Sequence, residues 1–344
     1  MKVGVLQFFS WPERRFPLGE VYERALQRID VMDEGGYDAV WLAEHHFNTF
    51  SVCPSVHMMG TMVAARTTRL RIGMGVSLAA FYHPLRLAEE VALLDHFSGG
   101  RVNWGAGRGF DAKEFKAFGI DREESYPRFR EHFEIVLEAW KQERLTYRGQ
   151  FWDFEGVEVL PKPLQEPHPP IWVAASTPGA IEWAAKQGHS IMMDPHSAHA
   201  DIAAKRKLFE DTLSGAGHSI DGRLIPMARL MAIGETEGEA EAIARSGASW
   251  TVGSYMRPKS ALGKSDTLPA NSESMFVDEA QQKAAEQDPV QRYMDSVVVY
   301  GTPSQVVDKL KAMEQELPMN YLLVSPLSHS TFELFTKKVL PALV

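Results

Sequence analysis

Two rhythms of apolar residues alternate along this chain. Short, nearly continuous apolar runs read as buried strands: Lys2–Phe8 (KVGVLQF), Asp38–Leu42, Leu70–Ser77, Arg101–Gly105, Ile171–Ala174, Ser190–Met193, Leu224–Ile233 and Tyr321–Ser325. Between them apolar side chains return every three or four positions, which predicts helices. These cover Leu18–Glu34, Val56–Ala65, Pro84–Phe97, Glu123–Glu143, Gly179–Gln187, Ala200–Leu213, Thr236–Ala248 and Phe332–Leu343. The helix from Pro84 shows the logic. Proline suits its first position, Leu87, Val91, Leu94 and Phe97 form an apolar face, and Ser98-Gly99-Gly100 stops it. Strands alternating with crossover helices imply parallel pairing. Eight such units with no break in composition predict a single (β/α)8 TIM barrel over residues 1–344 rather than two doubly wound domains.

Two stretches depart from the rhythm. Residues 145–170 alternate as a β-hairpin and end in a proline-rich connector. Residues 253–289 are long, polar and weakly periodic, the mark of a disordered segment or an active-site lid. Their place between the seventh and eighth strands favours a mobile lid.

Composition narrows the partners. A net charge of −9, spread along the chain, argues against nucleic acid, which demands a basic face. The single cysteine, Cys53, excludes an internal disulfide and a cysteine-based zinc finger, and reads as a small packing residue. No stretch has a signal-peptide layout or transmembrane length, so the expectation is a cytoplasmic protein with no membrane contact.

In a barrel, chemistry collects where strands end. That rule singles out Phe8 and Trp11, Glu44 to Phe47, Gly75 to Tyr82, Arg108, Ser176 and Thr177, and Asp194 and His196. Ser176-Thr177-Pro178-Gly179 sets two hydroxyls at a helix start, which alone is an ordinary N-cap. With Arg108 one loop away, the pair becomes a site for a phosphate-bearing ligand. Gly105, Gly107 and Gly109 read as a loop that a ligand approaches closely. The spacing is not the dinucleotide fingerprint, because Phe110 stands where the third glycine belongs, so a nicotinamide cofactor is not supported. Glu44-His45-His46-Phe47 offers either a metal site or proton transfer beside a cofactor. The absence of a His-x-His pair after the first strand, where Phe8-Phe9-Ser10 stands, weighs against metal.

These residues also carry a likeness. VWLAEHHF, HPLRLAEEVALLDHFSGGRVNWGAGRG, PPIWVAASTPGAIEWAAKQG and VYGTPSQVVDKL resemble the bacterial luciferase-like flavin-dependent monooxygenases over nearly the whole chain. The resemblance implies a TIM barrel that oxygenates a small organic substrate, an aldehyde or another apolar molecule. Reduced, dissociable FMN from a separate flavin reductase, together with dioxygen, would act through a flavin hydroperoxide.

The resemblance also assigns roles. It makes His45 the catalytic histidine and puts the FMN phosphate on Arg108, Ser176 and Thr177. A non-proline cis peptide near Gly75-Val76 would lie under the flavin ring, with Gly109 and Phe110 also at the cofactor. Phe8, Trp11, Phe81, Tyr82 and Phe110 would wall a dry pocket, as an oxygen-activating site requires. The resemblance further implies a homodimer, with helices such as Pro84–Phe97 near the interface. One departure matters: Gly107 stands where luciferase's light-emitting subunit has its reactive cysteine, which points to a non-luminous enzyme. Two rivals are a deazaflavin-dependent hydride-transferring oxidoreductase on the same fold and a non-catalytic flavin-binding relative. The EHHF motif disfavours the first, and the intact histidine with a lid-like segment disfavours the second.

Overall fold

A computed structural model describes residues 1–254, 288–317 and 319–344. The lid expected at 253–289 therefore lies almost wholly outside the described residues. Packing divides the chain into two compact units, Gln7–Ala174 and Met1–Leu6 with Ala175–Val344. Both are α/β, and their paired strands run parallel apart from one hairpin.

The chain opens on β1 (Lys2–Gln7) and continues through α1 (Leu18–Glu34), β2 (Ala39–Leu42), α2 (Val56–Arg66), β3 (Arg71–Met74) and β4 (Ser77–Leu78). Then follow α3 (Pro84–Phe97), β5 (Val102–Gly107), α4 (Ala112–Phe118), α5 (Ser125–Lys141), the hairpin β6 (Leu145–Arg148) and β7 (Asp153–Val157), and β8 (Ile171–Ala174). Within this first unit β2, β3, β5 and β8 lie side by side, with Val40 opposite Ile72, Ile72 opposite Val102 and Gly105 opposite Trp172. Parallel order brings the C-terminal ends of these strands to one edge.

Close approach is what glycine supplies here. A Cβ on Gly105 would stand 2.0 Å from the Met74 carbonyl oxygen, and one on Gly107 would stand 2.4 Å from Val76 Cγ2. The expectation of a glycine loop at 105–109 is thus corrected. Gly105 and Gly107 belong to β5 and let it press against the exit of β3, and only Gly109, with φ of +83°, needs glycine for its turn. Phe97 corrects the apolar face of α3. It is 59 % exposed while Leu87, Val91 and Leu94 are buried, because six residues beyond Val91 puts it roughly 240° round the helix.

Buried polar side chains hold the excursion at 145–170. Glu131 of α5 accepts the backbone N–H groups of Gln150, Phe151 and Trp152 at 2.9–3.0 Å and so fixes the hairpin turn. Asp95 of α3 accepts both the backbone and the side-chain amide of Gln165, at 2.8 and 2.7 Å, which pins the connector.

The second unit continues with α6 (Pro178–Lys186), β9 (Ser190–Met192), α7 (His199–Gly215), β10 (Pro226–Ile233), α8 (Glu237–Ser254), α9 (Pro289–Val297), β11 (Val298–Gly301), α10 (Pro303–Glu316), β12 (Tyr321–Pro326) and α11 (His329–Leu334). Its sheet runs β11-β10-β12-β1, and Met193 bridges Met227 beside β10. β11 is not evident from the sequence. Val298-Val299-Tyr300-Gly301 is short and follows α9 without a turn, so it carries no signal of its own.

The contact at Gly105 makes a test. Gly105→Ala is expected to lower stability by about 3 kcal/mol or more, since the obstructing atom is backbone. Gly19→Ala in α1, where nothing lies within 4 Å, should be neutral or slightly stabilising. Urea unfolding of the two variants checks the contrast.

Candidate active site

The first unit gathers chemistry at the strand exits. After β2 comes Glu44, a carboxylate with no solvent exposure. Its two oxygens are both in use. One lies 3.0 Å from His46 Nε2, and the other accepts the Tyr82 hydroxyl at 3.0 Å and the Leu78 N–H at 3.4 Å. Glu44 thereby ties the exit of β2 to the segment that follows β3. Burial first and the charge of Glu44 second hold the Tyr82 hydroxyl far above its ordinary range, so it stays a phenol and a donor. The same two causes push the Cys53 thiol up to about 12, which keeps it an inert packing residue.

His46 is thus a structural imidazole, and Phe118 lies edge-on to it at 4.9 Å. His45 is different. Its Nδ1 stands 3.5 Å from Glu114 Oε1, and its ring is enclosed by Phe8 at 6.3 Å, Phe50 at 5.5 Å and Phe110 at 6.1 Å. Phe47 follows in the left-handed region at φ of +56°, a costly conformation for a non-glycine residue. Asn48 holds it there by donating to the His46 carbonyl and accepting from the Phe50 N–H.

The exit of β3 bears a cis peptide between Gly75 and Val76, where the resemblance placed one. Just beyond it, Ser77 Oγ lies 3.0 Å from His57 Nε2, and His57 Nδ1 lies 3.0 Å from Glu90 Oε2. The hydrogen bond from His57, with the further pull of Arg86, holds the Glu90 carboxyl below its usual range. A serine, histidine and carboxylate in line have the connectivity of a hydrolase triad. Ser77 and His57 are both buried, however, and the line serves to anchor the segment at 75–78 on α2 and α3.

At the end of β5, Arg108 donates to Ser125 Oγ at 2.8 Å, with its guanidinium carbon 4.2 Å from the centre of the Tyr126 ring. Burial first, and then the nearby charge of Arg122, lower its pKa. Its partners among the described residues are neutral, so its charge remains available to an anion. Phe81 packs on Phe115 and Phe118, each at 4.8 Å, and closes over Gly109, where a Cβ would meet it at 3.2 Å.

The structure thus brings His45, Phe8 and Phe110 together, as it does Tyr82 with Glu44 and Phe81 with Gly109. Trp11 is tied to the loop after β2 by its backbone N–H, which donates to the Thr49 carbonyl at 2.9 Å, while its side chain has other partners. Its indole donates to the Phe16 carbonyl, and Arg14 covers its ring. Glu114, Ser125 and Tyr126 escaped the sequence reading, since each looks like an ordinary residue at a helix start.

In the second unit Ser176 is exposed and Thr177 is the N-cap of α6, without a side-chain cap bond. Asp194 accepts the Ser197 hydroxyl at 2.6 Å and the His196 N–H at 2.9 Å, while Arg229, wholly buried, donates to the Ser197 carbonyl at 2.8 Å. Burial alone would raise the Asp194 carboxyl, but Lys205, the Ser197 hydroxyl and Arg229 outweigh it and hold it below its usual range. Among the described residues no three of His, Cys, Asp or Glu converge to hold a metal ion, and no helix is long and apolar enough to cross a membrane.

The chain is similar to known proteins. The chain is 34% identical over 178 residues to the oxygenase component of a flavin-dependent trigonelline monooxygenase of Acinetobacter baylyi, 51% of this chain and 49% of that one. It spans about half the length of the curated relatives it matches first. The monooxygenase RslO1 of Streptomyces bottropensis superposes with a TM-score of 0.82 at 27% identity, covering 100% of both chains. The oxygenating constituent of 3,6-diketocamphane monooxygenase of Pseudomonas putida, solved with FMN, superposes with a TM-score of 0.80 at 19% identity, over 99% of this chain and 98% of that one. Residues 1–319 match the model of the luciferase-like monooxygenases, and the chain belongs to that family.

Proposed function

We propose that this chain is the oxygenase component of a two-component system. In this reading it takes reduced FMN from a separate reductase and uses dioxygen to oxygenate a small organic substrate. The observation that carries the proposal is Arg108, a guanidinium with neutral partners at the strand edge that also bears His45 in its aromatic enclosure. A dianionic phosphate suits such a cation. The FMN-bound structural neighbour and the flavin-dependent relative support FMN as the ligand. Ser176 and Thr177 remain proposed phosphate ligands on the strength of the resemblance.

Reduced flavin, when bound, supplies the electrons that activate dioxygen; the chain supplies position, dryness and proton control. Arg108 holds the phosphate. Gly75, Val76, Gly109 and Phe110 are the proposed backbone and ring neighbours of the cofactor. Phe8, Phe81 and Tyr82 exclude water from the reacting region, with Trp11 as a proposed outer contact. His45 holds or moves a proton at its imidazole. Trigonelline heads the substrates to test, since the relative named for it is 34% identical. A homodimer belongs to the same proposal: α2 and α3 pack together and carry Met58, Met62, Leu93 and Phe97, all exposed.

Four measurements test this reading. Arg108→Ala should raise the FMN dissociation constant about 10- to 100-fold and leave that of riboflavin nearly unchanged; equal losses would overturn the phosphate assignment. His45→Ala should slow oxygenation by a factor on the order of 10² or more with FMN binding intact. The comparison that separates oxygenase from hydride transferase is dioxygen uptake with chemically reduced FMN against reduced deazaflavin, uptake being expected with FMN alone. For the dimer, Met58→Glu with Phe97→Glu should halve the mass seen by sedimentation equilibrium.

A further inference from the structure

The two adjacent histidines each face a buried acid, and the two acids are satisfied to different degrees. Glu44 has three partners, shared between both oxygens, and its role is spent on holding the fold. Glu114 is also removed from water. Its Oε1 accepts the His46 backbone N–H at 2.8 Å and lies 3.5 Å from His45 Nδ1, while Oε2 is buried with no hydrogen-bond partner.

The position is unusual for such a residue. Glu114 is in the first turn of α4, where an acid ordinarily points to water and favours the helix dipole. That turn is already capped by Asp111, whose carboxylate accepts the Lys113 N–H at 2.9 Å. Capping therefore does not require Glu114, and glutamine would accept from the His46 N–H as well. A buried anion with one oxygen unpartnered costs stability unless its charge meets another group. The other oxygen of the same carboxylate, Oε1, lies 3.5 Å from His45 Nδ1.

We propose that Glu114 is a positioning residue for His45: its carboxylate takes the Nδ1 side of the imidazole and commits Nε2 to the proton work. The inference rests on the role given to His45 above and deepens it. A carboxylate on one ring nitrogen sets which tautomer is present and meets the positive charge that arises when the other nitrogen takes a proton. The 3.5 Å separation is at the outer limit of a hydrogen bond, within reach of a small rotation of either side chain. Glu44 is directed at His46 and Tyr82, and Cys53 presents its backbone carbonyl to the His45 N–H. Phe8, Phe50 and Phe110 enclose the ring.

The test reads the ring itself, in the protein without flavin. Long-range proton–nitrogen spectra, assigned with His45→Gln, report which nitrogen of His45 bears the proton at pH 8. The wild type should show mainly the Nδ1–H tautomer. Glu114→Gln should reduce that form to about half or less, and lower kcat about tenfold or more with KM for substrate and FMN binding changed less than about threefold. Should the glutamine variant fail to fold, Glu114→Asp, which withdraws the carboxylate by one methylene, must show the same loss of the Nδ1–H form in smaller measure. An unchanged tautomer in a folded variant would overturn the inference, as would a wild-type ring held mainly as Nε2–H. If the tautomer moves as expected while His45→Ala still oxygenates substrate, the pairing stands and the role given to His45 falls.

Discussion

A carboxylate taken out of water must find its hydrogen bonds in the protein, and Glu44 does so by joining two strand exits. His46, Tyr82 and the Leu78 N–H converge on it. Without them a buried charge would stand uncompensated, a cost of several kcal/mol. The demand fixes the loop after β2 against the segment after β3. It also sets the neighbouring His45 in its aromatic enclosure, because the backbone between Glu44 and His46 has little freedom left. The left-handed Phe47 and the Asn48 turn follow from the same closure.

Much of this was legible in the chain. Parallel α/β order, the helices α1, α2, α3, α5, α6, α7 and α8, and the hairpin at 145–170 follow from spacing alone, since burial imposes period on a strand or helix of any length. Boundaries were less readable. The strand read as Arg101–Gly105 extends to Gly107, because its last glycines are chosen for contact with Met74 and Val76, which no local pattern encodes. The C-terminal helix read as Phe332–Leu343 is α11 followed by a π turn and a 3-10 turn around Pro341. His45 and Arg108 stand out in the sequence as candidates because each follows a strand. Glu114 does not: in DAKEF it is one more acid at a helix start, and only the fold turns it inward.

Glycine at 107 shows how one small residue couples packing to chemistry. Any side chain there would meet Val76, half of the cis peptide after β3. The absence of a thiol is therefore matched by the presence of a branched side chain in the space beside it. Ser77, His57 and Glu90 hold the same segment through hydrogen bonds rather than volume. The platform at 75–78 is thus gripped by glycine on one strand and by an imidazole from a helix.

Two arginines illustrate why burial alone does not mark a ligand site. Arg229, in the second unit, is wholly enclosed, and burial lowers its pKa to about 10 against the opposing charge of Asp194. It has a counter-charge of its own and no exposed surface. Arg108 is only half-buried, rests on a hydroxyl and an aromatic ring, and has neutral partners among the described residues. A cation kept partly dry without an anion is poised for one that arrives from solution, and the stacking on Tyr126 holds its planar fork ready at little entropic cost. The two buried acids differ in another way: Glu44 has three partners shared over both oxygens, whereas one oxygen of Glu114 has none.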